Sequence, residues 1–106
     1  MPTYLWSASY TAEGTRGLLK DGGSKRRAAV QQMVEKVGGK LLAFYYAFGE
    51  GDVYAIAEFP DAIAAAALSL TVNASGAVQL RTTALITPEE VDAAAKKSVA
   101  YRPPGA

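Results

Sequence analysis

The chain contains no cysteine and no histidine. Disulfides, thiolate nucleophiles, imidazole bases and the metal sites built on sulfur or imidazole are thereby removed. No metal and no cofactor is expected. A dominant charge is missing as well. Eleven Lys and Arg stand against ten Asp and Glu, a net charge of +1 that provides no basic field for a nucleic acid. The first residues, Met1 to Trp6, lack the charged and apolar regions of a secretory signal. Nineteen residues between Asp61 and Arg81 carry no charge, but they include Ser69, Asn73, Ser75, Gly76 and Gln79 and are rich in alanine. A spanning helix needs about 20 predominantly apolar residues, so no membrane segment is expected and the default compartment is the cytoplasm.

What remains is a small chain, 106 residues of which half are apolar. It is too hydrophobic for disorder, has no internal repeat and has no room for a second domain. A compact protein of this size exposes about 5,600 Å². Residues 1–98 are expected to form one domain and 99–106 an extended tail.

Strand signals occupy residues 3–10, 40–48, 52–59 and 77–86. A polar, glycine-bearing connection with a short helical turn near Arg16–Leu19 is expected from Thr11 to Gly23. Ser24 is a candidate cap for a helix to about Val37, in which Val30, Met33, Val34 and Val37 recur at helical spacing. Gly38 suits the left-handed position after its end. Asp61 is the expected cap of an alanine-rich helix over 61–73. Thr87-Pro88-Glu89-Glu90 combines a cap, a first-turn proline and a capping box ahead of a last helix that fades near Lys97. The order is βαββαβ with an extra C-terminal helix. Right-handed crossovers make this an α+β, ferredoxin-like, four-stranded antiparallel sheet of order 4-1-3-2.

Two helices cover one face of such a sheet. In the third strand the small residues Ala55 and Ala57, with Val53 and Phe59, suit the covered face, leaving Asp52, Tyr54, Ile56 and Glu58 on the open one. Gln79, Arg81, Thr83 and Leu85 of the fourth strand are expected to join them. In the first strand Tyr4, Trp6, Ala8 and Tyr10 are assigned beneath the helices. The second strand is apolar on both sides, with Leu42, Phe44, Tyr46 and Phe48 opposed to Leu41, Ala43, Tyr45 and Ala47, and such a strand is not a solvent-exposed edge. From Ala62 to Val72 the alanine-rich helix carries no charge on any face, and a helix apolar all round is buried all round. A second copy of the chain is the expected cover, making the protein a homodimer or higher homo-oligomer. Replacing Leu68 by Glu is expected to weaken assembly above the dimer. High alanine content as simple helix propensity is the alternative.

Thr11-Ala12-Glu13-Gly14, Gly38-Gly39-Lys40-Leu41, Tyr45-Tyr46-Ala47-Phe48-Gly49 and the run Asp52 to Asp61 resemble the small bacterial GYD-domain proteins. The resemblance covers about residues 3–90 and is most specific in the hairpin followed by Glu58-Phe59-Pro60-Asp61. At the eponymous Gly-Tyr-Asp this chain reads Gly49-Glu50-Gly51-Asp52, with Gly51 in the tyrosine slot. The resemblance implies a dimeric α+β barrel, two ferredoxin-like sheets packed together. It implies architecture rather than chemistry.

Asp52, Tyr54, Glu58, Arg81 and Thr83, with Ser7 and Ser9, are candidates to line a cleft between the sheet and its partner. A half-buried carboxylate near an arginine suits proton transfer or the holding of a polar ligand, and Glu58 is the candidate catalytic acid–base. Tyr45, Tyr46, Tyr54 and Trp6 are candidates to stack an aromatic ligand. The structural alternatives are a Glu58–Arg81 ion pair and an Asp52 carboxylate that accepts backbone N–H groups at the end of the turn. Lys20, Lys25, Arg26 and Arg27 around Gly22-Gly23-Ser24 suit a phosphate at a helix start, but the glycines fit no P-loop and a solvated face is favoured. The Pro103-Pro104 tail reads as an extended frayed end or as an arm laid on a neighbour, the arm being slightly favoured because Val99 and Tyr101 would otherwise be exposed. Three functions are weighed: a small-molecule-binding homo-oligomer, an enzyme resembling the cofactor-independent oxygenases and isomerases of the dimeric barrel class, and an assembly module without ligand. A haem enzyme of the barrel class usually supplies an axial histidine, and this chain has none.

Overall fold

The computed structural model describes all 106 residues. Its elements are β1 (Thr3–Tyr10), α1 (Ala12–Asp21), α2 (Gly23–Lys36), β2 (Lys40–Tyr46), β3 (Val53–Glu58), α3 (Ala62–Ala74), β4 (Val78–Leu85) and α4 (Pro88–Ala95). The strands form one antiparallel sheet in the order β2-β3-β1-β4, which is the expected 4-1-3-2 counted from the other edge.

The segment expected as a polar connection is instead the ten-residue helix α1. Gly14 and Gly17 lower its intrinsic propensity, so its ends and docking carry it. The Thr11 hydroxyl accepts the Gly14 N–H at 3.3 Å and donates to Gly76 O at 3.0 Å. Gly22, at φ 84°, then breaks the chain and serves as the cap of α2 in place of Ser24. The far end of α2 is as anticipated. Gly38 takes φ 83°, its N–H reaches Glu35 O at 3.0 Å, and the Gly39 N–H reaches Val34 O at 3.0 Å. These are the two crossed bonds of a Schellman stop. Asp61 caps α3 through the Ala64 N–H at 2.8 Å, and Thr87 and Glu90 complete the capping box of α4.

The core lies between the sheet and the helices α2 and α3. Trp6, Val34, Ala55, Ala57, Phe59 and Leu68 are buried there, with Tyr4 packed against them. Trp6 faces Ala55 across the β1–β3 ladder, and its ring meets that of Phe59 at a centroid distance of 5.6 Å. The small side chains of β3 leave room for this stack, which is why the β1 aromatics lie beneath the helices. One correction concerns β2. A bulge between Leu41 and Ala43 breaks the simple alternation, so Leu41 joins Phe44 and Tyr46 on the core side while Leu42 is exposed.

A second correction concerns α3. Leu68 is buried at 4 % exposure against its own sheet, whereas Ile63 and Leu70 are 81 % and 72 % exposed. Substitution of Leu68 therefore reports on the core, and the outward stripe of the helix is Ile63, Ala66, Ala67 and Leu70.

The folded chain is open in shape. Its accessible surface is 7511 Å², about a third more than the ~5,600 Å² of a compact protein of this mass. Its radius of gyration is 16.8 Å, against about 13 Å for a compact chain of this length. The excess comes from the far end of the chain, where every residue from Ile86 to Ala106 is exposed. No helix is long and apolar enough to cross a membrane.

Candidate functional site on the open sheet face

The ladder registers lay out the face that α2 and α3 leave bare. Ser7 of β1 lies opposite Tyr54 of β3 on one side and Arg81 of β4 on the other, and Tyr54 lies opposite Tyr45 of β2. One row up, Leu5 lies between Ile56 and Thr83, with Ala43 beyond. At the end of the face, Thr3 lies between Glu58 and Leu85, and Glu58 is opposite Lys40. Period-two alternation puts each of these rows on one surface. An apolar belt of Leu5, Ile56, Ala43 and the two tyrosines thus borders a polar corner.

That corner is a concavity of about 500 Å³, within the range of small-molecule sites. Arg81, Thr83 and Gln79 line it from β4, Ser7 and Ser9 from β1, and Tyr54 from β3. The hairpin turn closes one side with Glu50 and Gly51. A Cβ at Gly51 would come within 2.9 Å of Tyr54 Oη, so a side chain in this slot would require the exposed end of the Tyr54 ring to swing aside. The slot that carries the eponymous tyrosine of the resemblance is therefore covered in this chain by the Tyr54 ring.

Among the candidate residues, Tyr54, Arg81, Thr83, Ser7 and Ser9 come together. Glu58 does not join them. It is four residues along β1 from the Ser7 row, a distance of about 13 Å, so the anticipated Glu58–Arg81 pair is not formed within the chain. Asp52 is turned to the other side. Its Oδ2 accepts the Tyr10 N–H at 2.8 Å, and it borders a hollow with Tyr10, Tyr46 and Phe48. This is the backbone-accepting role weighed for a carboxylate at the end of a glycine turn. Tyr45 shares the face of Tyr54 but is 71 % exposed and lies outside the concavity. Trp6 and Tyr46 are on the helix side and cannot stack a ligand here.

Three lining residues, Gln79, Glu50 and Gly51, are not among the cleft candidates that the sequence offers. Gln79 was placed on the correct face by alternation but not counted with its neighbour Arg81. Glu50 looks like an ordinary turn residue, and only the fold of the hairpin brings its carboxylate to the rim.

On the helix side there is a void of about 40 Å³ among Trp6, Val30, Phe44, Val53 and Val78, a packing gap far below ligand size. The phenol of Tyr46 borders this layer and donates to Gly23 O at 3.0 Å. Burial pushes its pKa above the ordinary value, the neighbouring Tyr10 adds to the rise, and Arg26 and Arg27 oppose it. The basic residues of α1 and α2 do not gather into an anion site. Gly22 caps α2 without a side-chain bond, and Arg26 turns inward to line the helix-side void.

The motifs that carry the family resemblance prove to be fold-bearing. A Cβ on Gly14 would collide with Ala77 O, and one on Gly39 would lie 2.6 Å from Glu58 O. Thr11 and Asp61 are helix caps. Comparison with known proteins agrees, since the family model described as the GYD domain matches residues 4–95. The chain belongs to the GYD-domain family. The match runs through α4, so this GYD-domain protein carries its last helix as part of the family unit. No curated protein and no solved structure matches it. The family match bears on the architecture.

Proposed function

We propose that this GYD-domain protein is a homo-oligomer that holds a small hydroxylated carboxylate in the polar corner of the open sheet face, with a second copy closing the site. The observation that carries the reading is the Arg81 guanidinium set among Ser7, Ser9, Thr83 and Gln79 in a concavity of about 500 Å³. A guanidinium binds a carboxylate through two parallel hydrogen bonds. The surrounding hydroxyls and amide offer donors and acceptors for ligand hydroxyls, and the Tyr54 ring offers a flat apolar wall. The neighbouring belt of Leu5, Ile56, Ala43 and Tyr45 supports pairing with a second sheet, which would remove that apolar surface from water.

The enzyme alternative loses its intended acid–base group with Glu58 at the far end of the face. Glu50 would have to take that part.

The test is a titration with salicylate and with malate, followed by amide NMR shifts of Ser7, Ser9 and Thr83. Saturable shifts are expected, with affinity about tenfold weaker or worse in Arg81→Gln, the loss of one charge-assisted pair. Absence of saturation for the whole hydroxycarboxylate series, in a protein that sediments as a dimer, would leave the assembly module. Consumption of the probe that stops in Glu50→Gln would select catalysis.

A further inference from the structure

The last helix and the tail are built to fold but have nothing within their own chain to fold against. The start of α4 is fully specified, with a reciprocal capping box between Thr87 and Glu90 and Pro88 in the first turn. Yet α4 has only eight residues, and isolated helices shorter than about 12–15 residues are marginal in water. Such a helix persists by packing. Here none of its residues is buried, and Val91, Val99 and Tyr101 are exposed along with the rest of the arm.

A second surface in the same chain has the complementary need. β2 is an edge strand, and edges are ordinarily protected by charge, proline or cover. Beyond Lys40 it has neither charge nor proline, and it presents Leu42 and Tyr45, with Phe48 fully exposed just past its end. The two surfaces do not meet within the folded chain. The arm leaves from β4, and the sheet order puts β2 at the opposite edge, three strand spacings or about 14 Å away across the sheet, while the arm extends the molecule to 55 Å in length.

We propose that the arm of residues 87–106 packs on the β2 edge of a second copy, and that the second copy returns the same contact. Complementary patches at opposite edges of one sheet satisfy a two-fold axis, because each copy gives an arm and receives one. About twenty arm residues joined to an edge strand match the 20–30 residues a side of a stable interface. The inference rests on the self-association proposed above and specifies the segment that makes it.

The absence of cysteine permits a direct test with the full-length chain. A Val91→Cys variant carrying a benzophenone maleimide is mixed with an isotope-labelled copy of the unaltered chain, and the mixture is dissociated, reassociated and irradiated. Mass spectrometry then locates the adducts, and sedimentation of the same sample gives its mass. Adducts on residues 40–48 of the labelled copy are expected, and Ala94→Cys should give the same region. Adducts on α3, adducts within the same chain, or no adducts in a dimeric sample would overturn the arm exchange and leave the pairing of sheets standing. A monomer at micromolar concentration would overturn both.

Discussion

The carboxylate of Asp52 and the backbone N–H of Tyr10 are joined at 2.8 Å across forty-two residues of chain. The same aspartate donates its own N–H to Ala8 O at 2.8 Å and accepts the Ala47 N–H at its carbonyl, also at 2.8 Å. One residue thus pins the β2–β3 turn to the end of β1, and the turn is what brings Glu50 and Gly51 to the rim of the polar corner. Asp52→Ala is expected to cost about 1–2 kcal/mol, since a partly buried N–H loses a charged acceptor. Chemical denaturation would measure it. A similar loss in Asp52→Asn would put the effect on charge, while recovery in that variant would put it on geometry.

The glycines give a paired prediction of opposite sign. At Gly39 an added methyl group would meet Glu58 O at 2.6 Å and Phe59 and Val34 at 2.9 Å, so Gly39→Ala is expected to destabilise by about 1–3 kcal/mol through overpacking. Gly17 has open space around it and sits within α1. Gly17→Ala is expected to stabilise by about 0.5–1 kcal/mol through helix propensity. Thermal unfolding of the two variants checks both directions.

Trp6 Nε1 and Thr82 Oγ1 are buried without a hydrogen-bond partner, on residues that face each other across the β1–β4 ladder. Thr82→Val removes a buried, unpartnered hydroxyl at nearly constant volume. A gain of about 1 kcal/mol is expected, read as a higher denaturation midpoint at unchanged slope. A loss of stability would mean that the hydroxyl has a partner in solution.

Tyr46 sets a limit at alkaline pH. Because burial raises its pKa in the folded protein above the ordinary 10.0, the folded state holds this proton more tightly than the unfolded one. The contribution is fully present below pH 10.0 and is lost as pH rises from there through the folded pKa. Tyr46→Phe should therefore show a shallower loss of stability than the wild type in this window. An identical slope in the two proteins would refute the assignment.

Much of the architecture was open to reading from the chain itself. Gly38, Asp61, Thr87 and Glu90 mark helix ends by local chemistry, and the alternation in β3 sorts its side chains into two faces without reference to anything distant. Sheet order followed from the order of elements and the handedness of crossovers. Helix α1 was missed because its two glycines weaken the local signal, and its support comes from Thr11 bonding to Gly76 and Ala77, far along the chain.

The site was legible only in part, for the same reason. Alternation puts Tyr54, Arg81 and Thr83 on one face, but position along the strands depends on register, which is a tertiary quantity. Register separates Glu58 from Arg81 by several residues and brings Ser7 between Tyr54 and Arg81. The turn of the hairpin decides that Asp52 serves the backbone while Glu50 faces the corner. Within an unbroken strand such as β3, local sequence determines which way a side chain points, because that is a property of the pleat; the bulge in β2 shows where this fails. Which side chains become neighbours is decided by how strands slide and turns close, and the exposed arm extends that dependence to a second chain.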